Sequence, residues 1–230
     1  MTESENSRLI DRLVGDGCQM ADEGNHAEAV AVFREAAALG SAQASLNMGN
    51  SLRAIGADQQ AFEAFRDAAR AGEETAWLNL AIVSLDMERW QTAVDAAREA
   101  IATGDEKGWG PLGVALLELG DEAGAEAAFI ESSRTGDSQG MLQYAFFLDE
   151  RGRYDEALPL VERASAVGDE MARGILAAWR WIDTRDVSLE QDLRNAPSYV
   201  TAAREALADL LLATGRGEEA AQLDADGSSR

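Results

Sequence analysis

Glycine recurs in this chain with a period of 32 residues: Gly40, Gly72, Gly104, Gly136 and Gly168. A second series, Gly24, Gly56, Gly120 and Gly152, runs in the same register, and Glu88 fills its missing member. A fixed period of this length marks a stacked-repeat architecture, in which each repeat is one supersecondary unit. Two glycines per period divide each repeat into two segments. Alanines lock to the same frame, with Ala29, Ala61, Ala93, Ala125 and Ala157 each five residues after the second glycine position. Four residues on stand Phe33, Phe65, Ala97, Phe129 and Val161, and three further stand Ala36, Ala68, Ala100, Ser132 and Ala164. Steps of four and three put these side chains on one face of a helix, small where a second helix must approach. The other segment repeats Met48, Leu80, Leu112, Tyr144 and Leu176, each followed by a small residue.

A helix of about a dozen residues is marginal alone in water, so each pair must bury its stripes against its neighbours. The pattern predicts an all-α, right-handed α-solenoid of about seven helix-turn-helix repeats. They fall near 9–40, 41–72, 73–104, 105–136, 137–168, 169–200 and 201–223, with the outer ones degenerate and flexible segments at 1–8 and 224–230. In the sixth repeat the second segment keeps only a trace, Leu189, Leu193 and Ala196 in its alanine, aromatic and alanine columns.

Composition narrows the class of partner. The 230 residues hold 42 acidic against 20 basic side chains, a formal net charge of −22. Such a surface repels nucleic acid and anionic membrane alike, so neither is expected as a partner. One cysteine, Cys18, allows no internal disulfide, and MTESENSR carries no apolar leader. Both point to a cytoplasmic protein.

The third repeat reads A-W-L-N-L-A from Ala76 to Ala81 and W-Q-T-A-V from Trp90 to Val94, and the fifth reads G-R-Y-D-E-A from Gly152 to Ala157. These segments resemble tetratricopeptide repeats, and the likeness extends over about 8–223. The period is shorter than that family's usual one and the proline between repeats is absent. Ala36–Ala44 and Ala68–Ala76 instead read A-A-x-x-G-x-x-x-A, which is similar to the signature of Sel-one-like repeats. The resemblance implies a protein-binding concave face lined by the first helix of each repeat.

Strings that carry chemistry elsewhere lack their context here. Gly108–Gly113, G-W-G-P-L-G, satisfies a dinucleotide-binding pattern that requires a preceding strand, whereas the repeat register puts a helix there. Pro111 predicts a first helix that starts late or is kinked. His26 is the sole histidine and occupies the column of Trp90 and Tyr154, so packing or helix initiation is its expected role, and Cys18 has no base beside it in sequence. With one of each, no transition-metal constellation exists. No catalytic residue, cofactor or metal site is expected, and the chain reads as a non-enzyme.

If the first helices line a groove, its residues follow by column. Leu78, Ile82, Leu85, Val114, Leu117, Leu142 and Phe146 form an apolar floor, joined in the sixth repeat by Trp181, with Asp86, Glu118 and Glu150 along one border. Such a surface matches a basic, amphipathic partner segment. Asn50, Asn79 and Lys107 fall in three columns of a carboxylate clamp that some tetratricopeptide proteins use, but Leu46 and Pro111 stand in the other two. The expected function is a non-catalytic interaction module that binds another protein or peptide. Two alternatives share the fold: a self-associating structural subunit, built on the groove or on Trp179 and Trp181, and an inhibitor or immunity-type protein that neutralises a basic partner.

Overall fold

The structure is a computed structural model and describes residues 3–227. Among the described residues the regular elements are helices in seven consecutive pairs. They are α1 (Glu3–Asp22) with α2 (His26–Ala38), α3 (Ala42–Ala54) with α4 (Asp58–Arg70), and α5 (Ala76–Asp86) with α6 (Trp90–Ala102). Next come α7 (Trp109–Glu118) with α8 (Glu122–Arg134), and α9 (Ser138–Asp149) with α10 (Tyr154–Ala166). Last are α11 (Glu170–Thr184) with α12 (Glu190–Asn195), and α13 (Thr201–Ala213) with α14 (Gly217–Gly227). Short 3-10 turns at Glu106–Gly108 and Val187–Leu189 precede α7 and α12. Helix α1 begins at Glu3 and α14 continues to Gly227. Residues 1–2 and 228–230 lie outside the described residues.

The glycine period is a backbone requirement. Ten glycines sit at left-handed turn positions, with φ between 69° at Gly152 and 97° at Gly40. A helix that stops through such a residue recovers its orphaned carbonyls. At the first turn between repeats the Gly40 N–H donates to Ala37 O and the Ser41 N–H to Ala36 O. The turn inside the second repeat repeats this geometry, Gly56 to Arg53 and Ala57 to Leu52. Glu88 takes the same conformation, at φ 55°, and makes the same bonds with Arg89: their N–H groups donate to Leu85 O and Ser84 O. Helix starts are fixed by short side chains; Ser41 Oγ accepts from Ala44 N and Asp169 Oδ1 from Ala172 N.

Contacts divide the chain into two compact bodies, Met1–Ala128 and Phe129–Arg230. In the first, each helix from α1 to α6 packs on the next, and α5 also packs on α7. Its core is built from the alanine and phenylalanine columns: Ala29, Phe33, Ala36, Ala61, Phe65, Ala68, Ala93, Ala97 and Ala100 are all buried. The small residues of the first helices are matched to the second. A Cβ on Gly17 would lie 2.6 Å from the Phe33 ring, and one on Gly49 would lie 2.4 Å from Phe65. Where the third repeat has Ala81 instead of glycine, the facing column has Ala97 instead of phenylalanine. Each fully buried phenylalanine contributes about 1.5–3 kcal/mol, so the glycines stabilise by allowing that ring in. The first repeat departs where its outer face meets water: Arg12, Asp16 and Gln19 are exposed, in columns where Ala44, Leu80 and Val83 are buried.

In the second body α9, α10 and α11 continue the same packing, and then the regularity fails. Helix α12 has only six residues, and α13 packs directly on α11. Gly174 makes the approach possible, since a Cβ there would come within 2.6 Å of Ala196 Cβ and 3.5 Å of Ala203 Cβ. Trp181 is buried by this contact, its indole N–H donating to Asp209 Oδ2 at 3.0 Å, and Arg185 pairs with the same carboxylate. Two expectations are therefore corrected. Trp181 is core and lines no groove, and Trp179, also buried and 5.1 Å from the Tyr154 ring, offers no surface for self-association.

Candidate functional site: the exposed face of α5 and α7

In the first body, five of the expected apolar residues lie on neighbouring first helices. Leu78, Ile82 and Leu85 follow each other along α5 at spacings of four and three, and Val114 and Leu117 are three apart on α7. All five are half-buried, unlike the interleaved Leu80, Ala81, Val83 and Ser84 of α5, which are fully buried. The helix therefore separates a core face from a stripe that remains open to contact. One turn beyond Ile82 stands Asp86, and one turn beyond Val114 stands Glu118; both are exposed. Pro111 falls at the third residue of α7, where its missing N–H leaves no helical bond unmade. Of the two readings of that proline, the late start is the one observed: the 3-10 turn takes up the residues before it.

The remaining expected residues lie in the second body or stand apart. Leu142 of α9 is 5% exposed and belongs to the core, a correction caused by the close packing of α9 on α10. Phe146, in the column of Ile82 and Val114, is 40% exposed, and Glu150 is exposed and lies 3.7 Å from Arg151. Asn79 Nδ2 donates to the carbonyl of Thr75, the N-cap of α5, Asn50 is exposed, and the Lys107 backbone N–H donates to Asp105 Oδ1 at 3.1 Å at the start of the 3-10 turn. Leu46, in a further clamp column, is buried.

The chemistry-bearing residues are explained by packing. Gly108, Gly110 and Gly113 are buried at helical positions with α6 before them, so the glycine-rich string is a helix-packing surface. His26 starts α2, half-buried, with Nδ1 buried and unbonded. Cys18 Sγ lies 3.4 Å from Asn47 Nδ2, which joins the first two repeats. Among the described residues no group of three or more histidine, cysteine or acidic side chains could hold a metal ion. No described helix is long and apolar enough to cross a membrane.

Several polar contacts between repeats were not anticipated. Arg53 of α3 pairs with Asp86 of α5 at 3.1 Å, 33 positions on, one period plus one. In the second body the Glu190 carboxylate takes Arg216 at 2.6 Å and Arg194 at 2.8 Å, and those guanidinium bonds hold its pKa down at about 2. The Asp209 carboxyl is also lowered, first by the Trp181 N–H and then by Arg185. Burial and then the hydrogen bond to Asp183 push the Tyr154 hydroxyl up to about 12. The sequence signal for a pair such as Arg53 and Asp86 is opposite charge about one period apart, which is weak in a chain with 42 acids.

No family model and no curated protein matches the chain. Solved structures do, and first of all they define a class, proteins built from stacked helical hairpins. PilF of Pseudomonas aeruginosa aligns with 89% of this chain and 99% of its own, at 18% identity and a TM-score of 0.69. A tetratricopeptide repeat protein from Parabacteroides merdae aligns with 96% of this chain and 93% of its own, at 16% identity and a TM-score of 0.69. YrrB, described as a tetratricopeptide protein with an unusual peptide-binding site, covers 73% of this chain and 94% of its own, at 17% identity and a TM-score of 0.56. The chain has the tetratricopeptide-repeat fold, an all-α solenoid.

Proposed function

We propose that this protein is a non-catalytic interaction scaffold whose binding surface includes the open stripe of α5 and α7. The observation that carries the reading is the half-buried row Leu78, Ile82, Leu85, Val114 and Leu117 beside exposed Asp86 and Glu118. An apolar strip of this kind gains most from a partner that covers it, and carboxylates at its edge favour a cationic rim on that partner. The partner is accordingly a basic, amphipathic segment of another protein. The fold supports this reading, and the peptide-binding description of YrrB accords with it. Phe146 and Glu150 hold the equivalent repeat positions on α9 of the second body. With a net charge of −22, encounter with a basic partner is accelerated at low salt and slowed as salt screens it.

Selection from a random-peptide library tests the reading. Enriched peptides are expected to interleave leucine-like and basic residues, and Ile82→Asp is expected to abolish their capture while leaving helicity intact. Enrichment of acidic peptides, or capture indifferent to Ile82→Asp, contradicts it.

A further inference from the structure

The repeat itself supplies an internal copy of the contact that a partner would make. Arg53 and Leu85 occupy the same repeat position, 32 residues apart, and so do Asp86 and Glu118. In the earlier pair of repeats the position holds arginine, and its guanidinium reaches across to Asp86 at 3.1 Å. In the next pair the donor position holds Leu85, and Glu118 has no hydrogen-bond or ion-pair partner among the described residues. The two carboxylates of the proposed surface therefore differ: one is occupied from within the chain and one is open. Glu118 lies one helical turn from Val114 and beside Leu117, so a cation placed on it would have its aliphatic stem against apolar side chains.

We infer that Glu118 receives an arginine side chain of the partner, in the geometry that Arg53 shows at Asp86, and that Arg53 closes Asp86 to the same partner. The inference rests on the interaction surface proposed above and assigns its cation-specific position. A guanidinium is favoured over an ammonium because Arg53 is a guanidinium in the equivalent contact and because its planar fork loses less freedom on a carboxylate.

The test uses the full chain and a labelled amphipathic peptide of leucine, glutamine and arginine, with a twin in which neutral citrulline replaces each arginine. The arginine peptide is expected to bind more tightly than its twin, and Glu118→Gln is expected to weaken it about threefold, the scale of one exposed ion pair. Glu99→Gln, the same charge change on α6, is expected to have a smaller effect. Arg53→Leu, which frees Asp86, is expected to tighten binding by a similar factor. Leu85→Arg is expected to weaken binding below the level of Leu85→Gln, since it fills Glu118 from within. If neither peptide binds, the surface reading itself fails. Equal binding of the two peptides, or equal effects of Glu118→Gln and Glu99→Gln, leaves the surface standing and overturns the arginine assignment.

Discussion

Glu88 holds a backbone conformation that the equivalent turns of other repeats give to glycine, at φ 55°. For a residue with a Cβ this region costs about 1–2 kcal/mol. Glu88→Gly is expected to raise stability by about 1 kcal/mol, seen as a higher urea midpoint with unchanged slope; a lower midpoint contradicts it. Gly49 poses the opposite case, since an added Cβ meets the Phe65 ring at 2.4 Å. Gly49→Ala is expected to cost about 1–3 kcal/mol by overpacking. In the double variant with Phe65→Ala the two costs are expected not to add, because that pair recreates the Ala81 and Ala97 combination of the third repeat. Simple additivity, measured in the same urea titrations, means the glycine and the ring do not act on each other. Residues of this kind were legible from sequence, because one turn and one packing contact recur and the glycines, Glu88 included, mark them.

Among elements, legibility tracked regularity. Helices α3 to α6 and α9 to α10 follow the period closely, and their small and aromatic columns are buried as the spacing requires. The contact of α11 with α13 could not be read, since it depends on α12 shrinking to six residues and on Gly174 admitting Ala196. Trp181 shows the consequence: its column implied an open face, and the loss of one helix length put it in the core. The polar links that hold this region titrate. Glu190 is held at about 2, below its ordinary 4.5, so its contribution is present above about pH 4.5 and is lost as pH falls toward 2. Glu190→Gln is expected to remove the part of the acid destabilisation that falls in that window, followed by circular dichroism; an unchanged acid limb contradicts the role. Tyr154 runs the other way. Raised from 10 to about 12, it stabilises below pH 10 and ceases to as pH rises through 12. Tyr154→Phe is expected to flatten stability between those limits, whereas a wild-type alkaline profile in that variant counts against it.

At the scale of the whole molecule, the net charge of −22 is unevenly placed. Residues 105–136 carry seven acidic side chains against two basic ones, and Glu118 lies among them beside the open stripe of α7. The half-burial of that stripe was only partly legible. The columns placed Ile82, Leu85, Val114 and Leu117 correctly on the first helices, but Leu142, in the column of Leu78, proved to be core. Column position alone does not tell how closely the next helix approaches. The same logic applies to Phe146, whose exposure leaves its replacement by alanine with little expected effect on helicity. The measurement that bears most directly on the scaffold reading is methyl NMR of the full chain during titration with a library-selected peptide. Shift changes are expected at Ile82, Leu85, Val114 and Leu117, and to vanish in Ile82→Asp. Changes centred instead on the second helices α4 and α6, with those four methyl groups unmoved, would place the binding surface elsewhere and contradict the account.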